Sequence, residues 1–88
     1  MVTKKLEIIN KTGLHARPAS DFALTAKQYS SKVTICREGG LPVNAKSVVR
    51  LLTEGIGQGT IVEIAAEGED EEDALKALCA MVESGFGE

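Results

Sequence analysis

The spacing of apolar residues in this chain switches repeatedly between a period of two and a period near 3.6, and few folds accommodate that pattern. In "VTKKLEII" (2–9), Leu6 and Ile8 lie on one face with Lys5 and Glu7 opposite, as in a half-buried strand. "NKTG" (10–13) has turn composition. Beyond it, Ala19, Phe22, Ala23 and Ala26 recur at helical spacing. Pro18 suits the first turn of that helix, where a missing N–H costs nothing. A residue before proline is biased away from the α region, so a start at Ala16 and a start at Pro18 both stay open.

Alternation returns at "SKVTIC", with Val33 and Ile35 facing one way and Thr34 and Cys36 the other. Gly39-Gly40 signals a hairpin into a short strand at Leu41 to Asn44. "SVVRLLTEGI" reads as a short helix with Ser47 as N-cap and Gly55 as its stop. "TIVEIAAEG" is a strand with Val62, Ile64 and Ala66 on one face. "EDEEDALKALCAMVESGFG" closes the chain with an amphipathic helix whose first turn is acidic, as the helix dipole favours. Its stripe is Ala74, Leu75, Leu78, Met81 and Val82, with Cys79 at the edge; "GFGE" reads as a short tail.

The order is β-α-β-β-α-β-α in a single domain, residues 1–88. One-sided strands place helices on one sheet face and water on the other, an α+β sandwich with an antiparallel sheet. The only aromatics are Phe22, Tyr29 and Phe86, so the core is aliphatic.

Ten basic residues stand against thirteen acidic ones, a net charge of −3, with no basic stripe. Nucleic acid is therefore not an expected partner. Nor is a membrane: no apolar run nears the roughly 20 residues that span a bilayer, and no signal-peptide pattern occurs. Cys36 and Cys79 form no CxxC pair and read as free thiols of a cytoplasmic protein. One histidine and two scattered cysteines are too few for a zinc site, so no metal or other cofactor is expected.

That one histidine sits in "GLHARP" (13–18). A lone His near a helix start usually carries no role, but its neighbours here are informative. Helix N-termini leave N–H groups unpaired with partial positive charge, and they bind phosphate. His15 stands at the lip of such a terminus and Arg17 two residues on. The stretch assembles a nucleophilic ring, a cradle of donors and a bidentate partner for oxyanions. An unperturbed imidazole, with a pKa of roughly 6.5, is largely neutral at pH 7 and free to attack phosphorus. No Walker loop and no carboxylate cluster accompany it. A carrier of phosphoryl groups fits better than a catalyst.

In the second helix, Val48, Val49, Leu51 and Leu52 cover nearly half the circumference, more than a short helix on a sheet can bury. Leu51 is expected inward. Val48, Val49 and Leu52 either complete the core or stay partly exposed beside His15 as an apolar patch of the kind partners bind. Thr12, Ser20, Lys46 and Arg50 fall near the same surface. Thr12 is read as shaping the turn, and Lys46 and Arg50 as solvated.

The chain resembles the HPr family, the histidine-containing phosphocarriers of the bacterial phosphoenolpyruvate:sugar phosphotransferase system. The resemblance runs the full length and rests on "GLHARPAS" (13–20), "NAKSVVRLLTEGIGQG" (44–59) and "AEGEDEEDAL" (66–75). It implies an open-faced β-sandwich, a four-stranded antiparallel sheet with three helices on one face. It implies that His15 accepts a phosphoryl group on Nδ1 from enzyme I and passes it to IIA domains of sugar permeases. Arg17 would engage the phosphoryl oxygens, with backbone N–H groups at Ala16 and Arg17 completing the cradle. It further implies Ser47 as a regulatory site for an HPr serine kinase, with Val48, Val49, Leu52 and Ser20 in partner binding. A transcriptional regulator would be a further partner, and the chain a monomer. A nitrogen-branch paralogue, a non-catalytic regulatory module acting through Ser47 and a plain anion-binding domain are the alternatives. A catabolite-repression paralogue lacking the histidine is disfavoured by His15.

Overall fold

A computed structural model describes all 88 residues. The elements are β1 (Val2–Glu7), α1 (Ala16–Lys27), β2 (Lys32–Arg37), β3 (Val43–Asn44), α2 (Val48–Thr53), β4 (Ile61–Glu67) and α3 (Glu71–Glu83), with a final 3₁₀ turn at Gly85–Gly87. The sheet order is β1-β4-β2-β3 and every pairing is antiparallel. The open α+β sandwich is the architecture expected, and β4 takes the central place between β1 and β2.

The two-residue period decides what each strand buries. Val62, Ile64 and Ala66 of β4 are fully enclosed, as are Val33 and Ile35 of β2. They meet Ala19, Phe22, Ala23 and Ala26 of α1, Leu51 of α2, and Ala74, Leu78 and Val82 of α3 in one core. Residues of the opposite parity, Thr34, Cys36, Glu63 and Ala65, form the uncovered face. Cys36 and Cys79 are both free. Cys79 is buried against α3's neighbours, and that burial pushes its thiol pKa up, the behaviour of a packing residue.

The helix starts follow the chemistry of their caps. Ser47 Oγ accepts from the Arg50 amide at 3.3 Å and opens α2. Gly55 then adopts φ +64°, the left-handed conformation that ends a helix most cheaply in glycine. The α1 helix begins at Ala16, not Pro18. Arg17 is helical although it precedes proline, and Pro18 in the first turn forfeits no i→i−4 bond.

The final four residues are not a tail, and this corrects the sequence expectation. Phe86 is only 8% exposed and its ring lies 6.3 Å from that of Phe22, tilted at 57°. It reaches the core by adopting φ +56°, between two glycines that also turn left-handed. Burial of an aromatic ring outweighs the roughly 1–2 kcal/mol that this conformation costs a residue with a Cβ. Glu88 is thereby carried back to the turn before α1. Lys46 also differs from expectation: its ammonium donates to the Tyr29 carbonyl at 2.8 Å, tying the segment before α2 to the end of α1.

Candidate functional site

The turn at residues 10–13 and the start of α1 build the site. Asn10 is buried at 5% exposure, and its Nδ2 donates to the Gly13 carbonyl at 2.8 Å. The Gly13 amide returns a bond to the Asn10 carbonyl at 3.2 Å. Gly13 has φ +62°, and a Cβ there would lie 2.5 Å from the Ile56 carbonyl oxygen and 2.6 Å from Gly57 Cα. Only glycine fits so close to another backbone in that conformation. Leu14 follows, buried at 4%, with its amide on Ile56 O at 2.9 Å. The turn is thus clamped to the segment that follows α2.

His15 comes next as the N-cap of α1, extended at φ −78°, ψ −172°. It is exposed, and its side chain makes no capping bond to the helix. Its carbonyl accepts the Ala19 amide at 2.9 Å, the first bond of the helix ladder. The amides of Ala16 and Arg17 precede that ladder and have no intrahelical partner. Pro18 removes what would be the next orphan donor. Uncapped amides at the positive end of a twelve-residue helix therefore stand next to an exposed histidine.

Arg17 is 83% exposed, with its Nε 3.8 Å from Asp21 Oδ2 one turn along. An exposed pair at that distance holds the guanidinium only weakly. Ser20 is half-buried on the same helix. The Glu88 carboxylate accepts from Thr12 Oγ1 at 2.6 Å and from Asn10 Nδ2 at 3.2 Å. The Thr12 bond, helped by Asn10 and the Arg17 charge, holds the Glu88 carboxyl below its ordinary pKa. Sequence reading missed Glu88 and Asp21 as the acids around Arg17, and it missed Asn10. The spacing of Arg17 and Asp21 was the available signal for one of them.

The second group of expected residues lies on α2, which packs beside α1. Ser47 is half-buried at the N-cap. Leu51 is fully buried, Val48 is intermediate, and Val49 and Leu52 are 69% and 44% exposed. The predicted division of that helix into inward and outward residues holds. No cluster of His, Cys, Asp or Glu is arranged to hold a metal ion. No helix is long and apolar enough to cross a membrane.

Comparison with known proteins agrees with this geometry. A family model described as the PTS HPr component phosphorylation site matches residues 2–84. Phosphocarrier protein HPr of Haemophilus influenzae is 45% identical over 82 residues, covering 93% of this chain and 95% of the relative. HPr-like protein Crh of Bacillus subtilis is 43% identical over 83 residues, covering 94% and 96%. The crystal structure of HPr-C-His from Thermoanaerobacter tengcongensis superposes with a TM-score of 0.96 at 48% identity, over 100% of this chain and 98% of that one. The chain belongs to the HPr family of phosphotransferase-system phosphocarriers, which relay phosphoryl groups and are not stand-alone catalysts.

Proposed function

We propose that this phosphocarrier takes its phosphoryl group on Nδ1 of His15, from enzyme I charged by phosphoenolpyruvate, and hands it to IIA domains of sugar permeases in the cytoplasm. The Nδ1 lone pair of the neutral ring attacks phosphorus. The bond from phosphorus to enzyme I breaks, and its electron pair stays with enzyme I. The Nε2 proton remains on the ring, and nothing is oxidised or reduced. The amides of Ala16 and Arg17 receive phosphoryl oxygens, and the Arg17 guanidinium swings from Asp21 to join them. Transfer onward reverses these roles.

The observation that carries this reading is His15 itself: an exposed N-cap whose side chain leaves the helix donors uncapped. A histidine serving only as a cap would bond to the first turn. Phosphorus NMR after incubation with enzyme I, phosphoenolpyruvate and Mg²⁺ tests it. An acid-labile, base-stable phosphoramidate signal that disappears in His15→Ala is expected. Its absence with both sugar-type and nitrogen-type enzyme I overturns the reading, and preference between the two separates the sugar branch from the nitrogen branch.

Regulation enters through Ser47. An HPr serine kinase would add about −2 of charge at the N-terminus of α2, beside the exposed Val49 and Leu52. That charge tolerates the helix dipole and repels an acidic or apolar partner, so it changes docking without unfolding the chain. A transcriptional regulator is a further partner in this reading. The carrier acts as a monomer; one structure of the T. tengcongensis HPr is described as a dimer, so sedimentation at working concentration is the check.

A further inference from the structure

We propose that Asn10 is a positioning residue for phosphoryl transfer, fixing the backbone that aims the His15 ring. The proposal rests on the reading of His15 as the phosphoryl acceptor. Its basis is the peptide unit between Gly13 and Leu14, the last one before the histidine's own. The carbonyl of that unit accepts Asn10 Nδ2 at 2.8 Å. Its amide donates to Ile56 O at 2.9 Å. Both polar edges of one peptide plane are therefore held, from opposite directions. One residue later the His15 carbonyl enters the α1 ladder through the Ala19 amide at 2.9 Å. With both flanks fixed, the Cα–Cβ bond of His15 has one direction.

Asn10 is suited to this and to little else. Nδ2 carries two protons and faces three acceptors: Gly13 O, Glu88 Oε2 at 3.2 Å and Thr12 Oγ1 at 3.4 Å. The shortest bond is the one to Gly13. Oδ1 is buried without a partner, the only buried side-chain polar atom left so. Turning the amide over would aim that oxygen at a carbonyl and a carboxylate, which excludes the alternative orientation. The chain thus retains a buried amide with one orphaned oxygen, whereas an apolar side chain would remove that orphan but strip Gly13 O of its donor. Packing does not explain the residue; donation to Gly13 O does.

The test compares wild type with Asn10→Ala and Asn10→Leu, the second filling the space without supplying a donor. Initial rates of transfer from charged enzyme I are measured against concentration of the carrier. Misdirection of a nucleophile by a fraction of an ångström to an ångström slows the chemical step, so kcat is expected to fall roughly tenfold or more in both variants. KM is expected to stay within about twofold, because the α2 surface is untouched. Restoration of kcat by leucine, or an unchanged kcat in a folded variant, overturns the proposal while leaving His15 as acceptor. A wild-type chain that takes up no phosphoryl group overturns both readings. Should neither variant fold, side-chain amide exchange in wild type decides. The Asn10 amide protons are expected to exchange at least about tenfold more slowly than those of exposed Asn44. Equal rates overturn the proposal.

Discussion

Thr12 and Glu88, 76 positions apart in sequence, meet through a 2.6 Å hydrogen bond from the hydroxyl to the carboxylate. The bond closes the chain's end onto the turn before His15. It also makes the closure dependent on pH. The Thr12 hydrogen bond, with support from Asn10 and Arg17, holds the Glu88 pKa below the ordinary value. A carboxyl with a depressed folded pKa contributes stability above its unfolded value and loses it as pH falls through the folded one. We expect the side-chain carbon of Glu88 to titrate below the ordinary value of a glutamate. In Thr12→Val its midpoint should rise toward that value. Identical midpoints in the two proteins would show that Thr12 does not stabilise the carboxylate.

Phe86 anchors the same segment from the apolar side. Its ring packs on Phe22 in the core while its backbone sits at φ +56°. Phe86→Ala removes the ring and keeps the strained conformation, so it should destabilise the fold by about 3–5 kcal/mol. Urea denaturation gives the number, with the slope unchanged if only the native state is affected. A loss below about 1 kcal/mol would mean that the segment contributes little to the core.

These two contacts mark where the sequence was and was not legible. The alternation in β1, β2 and β4 and the stripes of α1 and α3 each carry several consistent residues, so the sandwich could be read without coordinates. The division of α2 into a buried Leu51 and exposed Val49 and Leu52 was only partly readable: helical angles place all four apolar residues on one arc, and the family resemblance tips the reading toward exposure. Isolated residues are harder. One phenylalanine between two glycines has no period, and only its packing against Phe22 reveals that it folds inward. Asn10 reads as a turn former from its composition, since its partners at Gly13 and Glu88 exist only once the turn and the chain end are closed. Lys46 looked like any surface lysine until the Tyr29 carbonyl came within reach.

Asp70 provides a second acid-sensitive contact, at the opposite end of the molecule. Its carboxylate accepts the amides of Ser30 at 2.9 Å and Ser31 at 3.0 Å, and a short bond from the Ser31 hydroxyl. The Ser31 hydroxyl, with the Ser30 amide, holds its carboxyl below the usual pKa of an aspartate. Its contribution is present above roughly pH 3.9 and fades as pH drops through the lower folded value. Asp70→Asn should therefore lower the melting temperature at pH 7 and flatten its acid decline, with the two proteins converging once the pH is below the depressed folded value. Parallel declines across that range would assign acid sensitivity to other carboxylates.

Val49 and Leu52 separate docking from chemistry. Both project from α2 at 69% and 44% exposure, whereas Leu51 between them is fully buried. A charge at Val49 meets water, so Val49→Asp should leave stability within about 0.5 kcal/mol of wild type. In the proposed transfer the same charge would face the partner. A valine buried on docking is worth about 1.5 kcal/mol, which corresponds to roughly a tenfold rise in KM for enzyme I. The kcat should hold, because Asn10, Gly13 and the start of α1 are unaffected. That is the reverse of the pattern expected for Asn10, and it gives the two variants a shared assay with opposite signatures. If Val49→Asp lowers kcat and spares KM, the exposed face of α2 is not where the donor docks, and the contact surface must lie along α1 instead.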